Sequence, residues 1–188
     1  GEDWRVPVSE LESRLEKLSI ALQENSLPGV FVQHPVDLYY FTGGRQNATL
    51  FVPARGTKAS IEGGGDGPVL FVRRSISRAI YEAGNDNSPF EILPFPRMKN
   101  LVEILQKRGV TNSPALQFGE IPANFLQRFT NVLSALGKCD DATDLIHKIR
   151  EIKSAWEVEQ MEKSATIQAK MFDAVEDKLS EGVSELEL

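Results

Sequence analysis

Short β-rich runs alternate with helical patterns along most of this chain, and that alternation restricts the fold more than any other feature. Residues 30–32, 49–52 and 69–72 are apolar runs near Pro or Gly, as buried strands are. Residues 9–25 instead place leucines three or four positions apart among charged residues, which is typical of an amphipathic helix. A sheet layered with helices explains both patterns, so the sequence predicts an α/β fold.

The alternation continues through the middle of the chain. Residues 90–93 and 115–118 have the composition of two further strands. Helical spacing of apolar residues predicts helices at 75–83, 98–108 and 122–136. We therefore expect helices to cover a sheet assembled from several short, separate segments.

A glycine-rich segment, residues 54–68, interrupts the strand pattern and is predicted to be a surface loop. Its run Gly63-Gly64-Gly65-Asp66-Gly67 has the composition of a phosphate-binding loop. The run lacks the Lys-Ser/Thr pair of such loops and leads into Pro68 and a strand instead of a helix. We therefore expect no nucleotide site there.

The carboxy-terminal segment carries one uninterrupted helical pattern from residue 154 to about 181. Ser154 and Glu157 form a capping box at its start, and Gly182 is a candidate C-cap. A helix of about 27 residues is roughly 40 Å long, more than twice the mean for globular proteins. Its apolar stripe consists of Val158, Met161, Ala165, Phe172, Val175 and Leu179.

A second apparent capping box, Ser184 and Glu187, follows that helix and is left with no helix to cap. We therefore expect the chain to be cut from a longer protein. On this interpretation residues 1–150 form one domain, and residues 151–188 are the linker and first helix of the next.

The charge and cysteine content limit the partners. The formal net charge of the 188-residue chain is −6, which disfavours nucleic acid and anionic membranes as partners. Cys139 is the only cysteine, so an internal disulfide framework and a multi-cysteine zinc site are excluded, as is typical of a reducing compartment. We expect a cytoplasmic protein that binds neither nucleic acid nor membranes. Cys139 with two histidines is thin support for a thiol enzyme.

Carboxylates and an imidazole gather near the predicted start of one helix: Asp140, Asp141, Asp144 and His147. Such residues can hold a metal ion. Asp and Thr before a helix more often cap its first turn and interact with its dipole. We favour the capping role and predict no metal site in this chain.

Three motifs resemble one family of metallopeptidases. Residues 149–161, IREIKSAWEVEQM, resemble the R-x-I-K-S-x-x-E-I-x-x-M signature of the Xaa-Pro aminopeptidase, prolidase and creatinase family. That signature joins the amino-terminal domain to the first helix of the "pita-bread" catalytic domain. Residues 182–185 resemble the family's G-x-T-E, and Tyr40-Phe41-Thr42-Gly43 is similar to its Y-L-T-G. The resemblance covers nearly the whole chain.

The resemblance implies a creatinase-type amino-terminal domain: a mixed, roughly five-stranded, ribonuclease H-like sheet flanked by helices and followed by one long helix. It also implies that the parent is a metal-dependent aminopeptidase or dipeptidase that cleaves peptides next to proline. In that family two divalent ions, often manganese, cobalt or zinc, are held by two Asp, one His and two Glu. Those ligands lie downstream of residue 188. The chain alone is therefore expected to contain no catalytic residue and no metal ligand.

The resemblance also suggests partners and contact residues. It implies that this domain packs with its own catalytic domain and with a second subunit of a homodimer. The loop after the Tyr40–Gly43 motif reaches toward the partner's active site in prolidase-like members, which implies substrate contacts in trans by Arg45, Gln46 and Asn47, with His34 nearby. A simple turn at residues 44–47 and a hydrogen-bonded turn histidine at 34 are the alternatives.

A second function stays open from the sequence. Some members of the family keep this fold without catalysis and use it as a protein-binding module. The metal ligand series in the parent's catalytic region distinguishes the two, because only the enzyme requires it.

Overall fold

The fold is taken from a computed structural model, which describes residues 5–56 and 67–186. Residues 63–66 of the glycine run and Glu187 of the second capping box lie outside these ranges. Contacts divide the chain into two compact units, Gly1–Arg150 and Glu151–Leu188. The first unit contains the sheet and six helices among the described residues, and the second contains one long helix.

The described strands are β1 Gly29–Val32, β2 Ala48–Pro53, β3 Val69–Val72 and β4 Glu91–Pro94. They form one four-stranded mixed sheet in the order β1-β2-β3-β4. Strands β1 and β2 pair antiparallel, as do β2 and β3, whereas β3 and β4 pair parallel. Every residue of the first three is buried, which agrees with their nearly continuous apolar sequence. The predicted α/β fold is confirmed.

The segment predicted as a strand at 115–118 makes only isolated bridges, so the described sheet has four strands and not five. Ala115 donates its backbone N–H to Gly29 at 2.8 Å and accepts from Phe31 at 3.0 Å. The next donor, the backbone N–H of Gln33, binds the side-chain Oε1 of Gln117 at 2.9 Å. Because a side chain takes the place of the backbone carbonyl, the ladder beside β1 stops after one bridge.

The helices flank the sheet close to where the spacing of apolar residues predicts them. Short 3₁₀ turns lie at Met98–Asn100, directly before one helix, and at Ser134–Leu136, directly after another. The described α-helices are α1 Val8–Glu24, α2 Pro35–Thr42, α3 Ile76–Glu82, α4 Leu101–Lys107, α5 Ala123–Leu133, α6 Thr143–Glu151 and α7 Ala155–Lys178. Helix α2 was not predicted, because its eight residues lack a polar face.

Phenylalanines hold the sheet and its helical layer together. Phe31 and Phe51 face each other across β1 and β2 with ring centroids 5.2 Å apart. Phe129 of α5 meets Phe31 edge to face at 5.5 Å. Each of these rings is fully buried, and burial of a Phe side chain contributes about 1.5–3 kcal/mol. The aromatic contacts therefore fix α5 against the sheet.

Helix α7 begins with the predicted capping box. The backbone N–H of Glu157 donates to Ser154 Oγ at 3.1 Å, and Ser154 N–H donates to Glu157 Oε2 at 3.0 Å. The helix ends at Lys178 with Leu179 as its C-cap, so the assignment of Gly182 as C-cap is wrong. Gly182 lies in the following turn with φ +91°. Along the described chain, no helix is both long and apolar enough to cross a membrane.

Candidate functional site

The Tyr40–Gly43 motif ends helix α2 and redirects the chain. Gly43 adopts a left-handed conformation with φ +67°, and its N–H donates to Tyr39 O at 2.8 Å. The hydroxyl of Thr42 donates to Leu38 O at 2.6 Å and accepts from Gly44 N–H at 3.2 Å. The motif therefore sets the point at which residues 44–47 leave the helix for β2.

Glu82 of α3 anchors the loop at residues 44–47. Its Oε2 accepts from the backbone N–H of Arg45 at 3.2 Å and from Gln46 Nε2 at 3.0 Å. Its Oε1 accepts from Arg78 Nε at 2.9 Å. Burial alone would raise the pKa of Glu82, but the hydrogen bonds from Gln46, Arg78 and Arg45 outweigh it and lower the pKa. The loop is therefore held by an ionised carboxylate.

The three loop residues predicted to contact substrate line one cavity of about 600 Å³: Arg45, Gln46 and Asn47. Arg45 and Asn47 are exposed, and the Arg45 guanidinium lies 5.4 Å from the centroid of the Tyr39 ring. The rest of the lining comes mainly from α2, with one residue directly after β1 and one from the start of β2. This arrangement offers a planar cation and two amides to a ligand, while the loop backbone is fixed from behind.

His34 lines a neighbouring cavity of about 300 Å³ instead. The two cavities share Gln33, Pro35, Asn47 and Ala48. The structure therefore brings His34 and Asn47 together, whereas Arg45 and His34 line different cavities. His34 is also the N-cap residue of α2, directly before Pro35.

A buried carboxylate, Asp37, connects the start of α2 to distant parts of the first unit. Asp37 is 0% exposed. Its Oδ1 pairs with Arg150 at 2.6 Å, and its Oδ2 accepts from Gln117 Nε2 at 2.6 Å and lies 3.1 Å from His34 Nδ1. Arg150 belongs to the signature that predicted the family, but its partner was not predicted, because the two residues are 113 positions apart.

Glu120 lies between the two histidines of the chain and was also missed. Its Oε1 is 2.8 Å from His147 Nε2, and its Oε2 is 3.5 Å from His34 Nε2. The sequence around Glu120 contains no motif, so nothing in it indicates that this residue contacts both histidines. The tertiary fold therefore supplies this histidine–carboxylate–histidine arrangement.

The acidic group considered as a metal site has a structural role. Asp141 Oδ1 accepts from the backbone N–H of Thr143 at 2.9 Å and of Phe118 at 3.0 Å. Burial opposes ionisation, but these hydrogen bonds and that of the Thr143 hydroxyl outweigh it and lower the pKa of Asp141. The predicted capping role of Asp141 is confirmed.

No group of three or more His, Cys, Asp or Glu side chains in residues 5–56 and 67–186 is arranged to hold a metal ion. His147 is directed to Glu120 and not to the aspartates. The described residues therefore do not fit the two-metal site that the family resemblance implies for the parent, and no catalytic step is assigned to them.

Cys139 is buried and lies 3.0 Å from Ser113 Oγ. Burial raises the pKa of its thiol, which disfavours the reactive thiolate. Its surroundings are those of a core cysteine, in line with the prediction that it is no nucleophile.

Comparison with known proteins identifies relatives over nearly the whole chain. The chain is 29% identical over 178 residues to the Xaa-Pro dipeptidase of Pyrococcus furiosus, covering 95% of this chain and 46% of that protein. The solved prolidase from Pyrococcus furiosus is 25% identical with a TM-score of 0.66, covering 92% of this chain and 49% of that one. The chain therefore spans about half the length of the relatives it matches.

The fold is shared more widely than the sequence. Dipeptidase PepE from Mycobacterium ulcerans superimposes with a TM-score of 0.74 at 20% identity, covering 97% of this chain and 48% of that one. At this identity the likeness shows the fold alone. It confirms the predicted creatinase-type amino-terminal fold.

A family model described as "Creatinase/Prolidase N-terminal domain" matches residues 14–152. The match includes the sheet, helices α2 to α6 and both the Tyr40–Gly43 motif and the Asp37–Arg150 ion pair. It covers well over half of the chain. The chain therefore belongs to the creatinase/prolidase N-terminal domain family.

Proposed function

We propose that this chain is the non-catalytic amino-terminal part of a Xaa-Pro peptidase-like metallohydrolase whose parent protein cleaves a peptide bond next to proline. One observation carries the proposal: similarity to a Xaa-Pro dipeptidase extends over 95% of this chain but only 46% of that enzyme. The two divalent ions, manganese, cobalt or zinc, then belong to the remaining half of the parent.

Residues 1–150 are, in this proposal, the creatinase-type amino-terminal domain, and residues 151–188 are the linker and first helix of the pita-bread catalytic domain. The exposed apolar side chains of α7 support this assignment, since Met161 is 58% and Phe172 67% exposed. A catalytic domain that packs on this stripe would bury it. The chain's own catalytic domain is therefore its first partner.

The second proposed partner is another subunit of a homodimer. In this arrangement the loop at residues 44–47 closes the substrate pocket of the other subunit, with Arg45, Gln46 and Asn47 in contact with the peptide and His34 nearby. The anchoring of the loop backbone by Glu82 supports the role, because a fixed backbone lowers the entropic cost of holding a side chain against a ligand. The single cysteine supports a cytoplasmic location.

Steady-state kinetics of the full-length parent test the loop. Arg45→Ala should raise KM for a Xaa-Pro peptide about ten-fold and change kcat less than about two-fold, because it removes binding that is similar in the ground and transition states. Arg55→Ala is the matched control: Arg55 is an exposed arginine after the opposite end of β2, about 20 Å from the loop. An unchanged KM for Arg45→Ala would contradict the substrate contact.

The isolated chain tests the division of labour. The 188-residue chain should show no hydrolysis of a Xaa-Pro dipeptide with added manganese, cobalt or zinc, whereas the parent should lose activity on chelation and regain it with metal. Metal-dependent hydrolysis by the chain alone would overturn the non-catalytic assignment.

A further inference from the structure

One arginine in the smaller cavity is held rigidly without a charged partner. Arg73 follows β3, and its backbone N–H donates to Asn47 O at 2.9 Å. Its guanidinium stacks on the Phe95 ring, 3.6 Å from the centroid. Stacking fixes the plane of the guanidinium and leaves the N–H groups at its edge available for acceptors.

A second arginine lies near the first. Arg128 is on α5, one turn after Phe125, and both Phe125 and Arg73 line the 300 Å³ cavity. Burial and the positive charge of Arg128 lower the pKa of Arg73. Within residues 5–56 and 67–186, neither arginine makes a salt bridge or a side-chain hydrogen bond. Neither arginine is therefore paired with a carboxylate within those ranges, and the two like charges are near enough to affect each other.

One residue in the lining has a buried hydrogen-bond donor with nothing to bind. This residue is Gln33. In the described part of the chain, its Nε2 is the one side-chain nitrogen or oxygen that is buried and has no hydrogen-bond partner. Buried donors are normally paired, since the loss of water must be compensated. Pro122, at the N-cap of α5, is also in the lining, so the positive end of that helix dipole adds to the field.

The one acidic residue in the lining is occupied elsewhere. Glu120 directs Oε1 to His147 at 2.8 Å and Oε2 toward His34 at 3.5 Å. Both of its oxygens therefore already face a histidine nitrogen. The Arg73 guanidinium has only donors, and they require an acceptor.

We propose that Arg73, Arg128 and Gln33 form a binding site for a small oxyanion, a carboxylate or phosphate group carried by a compact ligand. The planar fork of Arg73 donates to two oxygens of such a group side by side, and a turn of the Gln33 side chain toward the cavity supplies a further donor from Nε2. A cavity of about 300 Å³ is at the small end of ligand pockets, which limits the ligand to a few carbon atoms beyond the anionic group. The site needs neither the second subunit nor the catalytic domain, so it does not depend on the function proposed above.

Nuclear magnetic resonance titration of the 188-residue chain tests the site at constant ionic strength. The probes are N-acetylglycine, methyl phosphate and, as the uncharged control, N-acetylglycinamide. Saturable shifts of the Arg73 Nε–Hε and Gln33 side-chain amide signals are expected with one or both anions and not with the amide. The anion that saturates at lower concentration identifies the carboxylate or the phosphate as the preferred group. Linear shifts with both anions, or equal shifts with the amide, would overturn the proposal.

Variants separate this site from general attraction of anions to positive charge. Arg73→Gln should weaken binding about ten-fold, because it removes the bidentate contact. Arg74→Gln removes the same charge from an exposed neighbouring position and should leave affinity within about two-fold. Arg128→Gln, at an exposed helical position that the fold tolerates, should weaken binding about three-fold and serves if Arg73→Gln unfolds. Equal losses for Arg74→Gln and Arg128→Gln would exclude a built site.

Discussion

The two units of the chain differ in how far their apolar side chains are buried. In the first unit, phenylalanines of the first three strands are buried almost completely, and Phe129 of α5 is at 0% exposure. In the second unit, α7 exposes its apolar residues, with Phe172 at 67%. Both helices have apolar residues at helical spacing in the sequence, so the presence of that spacing alone does not decide whether a side chain enters a core.

The difference shows what stabilises each helix. Helix α5 is held by tertiary contacts with the sheet, whereas α7 is supported locally by its capping box and by a Glu159–Lys163 ion pair at 2.9 Å. Local terms of this kind contribute only a few tenths to about 1 kcal/mol each. Helix α7 therefore has the sequence of a helix that requires a partner surface to reach the stability of α5.

Removing one phenylalanine from each unit is the strongest test of this difference. Phe129→Ala should lower the free energy of unfolding by about 4 kcal/mol, because it leaves a cavity between α5 and the sheet. Phe172→Ala should change it by less than about 0.5 kcal/mol, since the ring is mostly in solvent. Urea unfolding followed by tryptophan fluorescence and circular dichroism measures both. Similar losses for the two variants would show that α7 has its own buried core.

Removing one aspartate from each unit tests the polar part of the same comparison. Asp37→Ala should lower the free energy of unfolding by about 3 kcal/mol, because it leaves Gln117 buried without its acceptor and Arg150 without its carboxylate. Asp173→Ala, at an exposed position of α7, should cost less than about 0.5 kcal/mol. The same urea titrations apply, and a loss below about 1 kcal/mol for Asp37→Ala would mean that the network adds little.

The smallest expected effect concerns the capping box of α7. Ser154→Ala should destabilise the first turn of that helix by about 1 kcal/mol, because it removes the acceptor for the Glu157 N–H. Ser164→Ala, in the middle of the same helix, should instead stabilise it by about 0.5 kcal/mol through helix propensity. Amide hydrogen exchange of residues 155–158 reports the change. Unaltered exchange in Ser154→Ala would show that the box is not what holds this end of the helix.

The sequence predicted most elements of the first unit but missed α2. Residues 35–42 contain Pro35, two tyrosines and a phenylalanine, and most of them are buried. A short helix that is apolar on nearly all sides has no helical periodicity to detect. For His34 the sequence left a substrate contact and a turn histidine open, and it did not indicate that this residue is the N-cap of the helix.

The prediction of a strand at 115–118 was wrong for a different reason. Its composition is right for a buried strand, and Ala115 does pair with β1. The ladder stops because the Gln117 side chain takes the hydrogen bond of Gln33 N–H and continues to Asp37. A choice between a side-chain and a backbone acceptor depends on where three distant segments meet, which composition does not record.

The candidate site was predicted only in its local part. The sequence places Arg45, Gln46 and Asn47 soon after the Tyr40–Gly43 motif, and the structure places the three residues around one cavity. Their anchor, Glu82, lies 37 positions after Arg45 and belongs to a helix with no motif.

The sequence by itself determined the α/β class, the first three strands, the capped long helix and membership of the family, because these depend on residues within a few positions of one another or on motifs in order. Only the tertiary structure decided that Asp37 meets Arg150, that Glu120 lies between two histidines and that Arg73 has Arg128 and not a carboxylate beside it. The physical reason is the distance along the chain over which each kind of interaction acts. Caps, periodicity and turns act through the local backbone, whereas charges and donors far apart in the chain become neighbours only when the sheet and its helices pack.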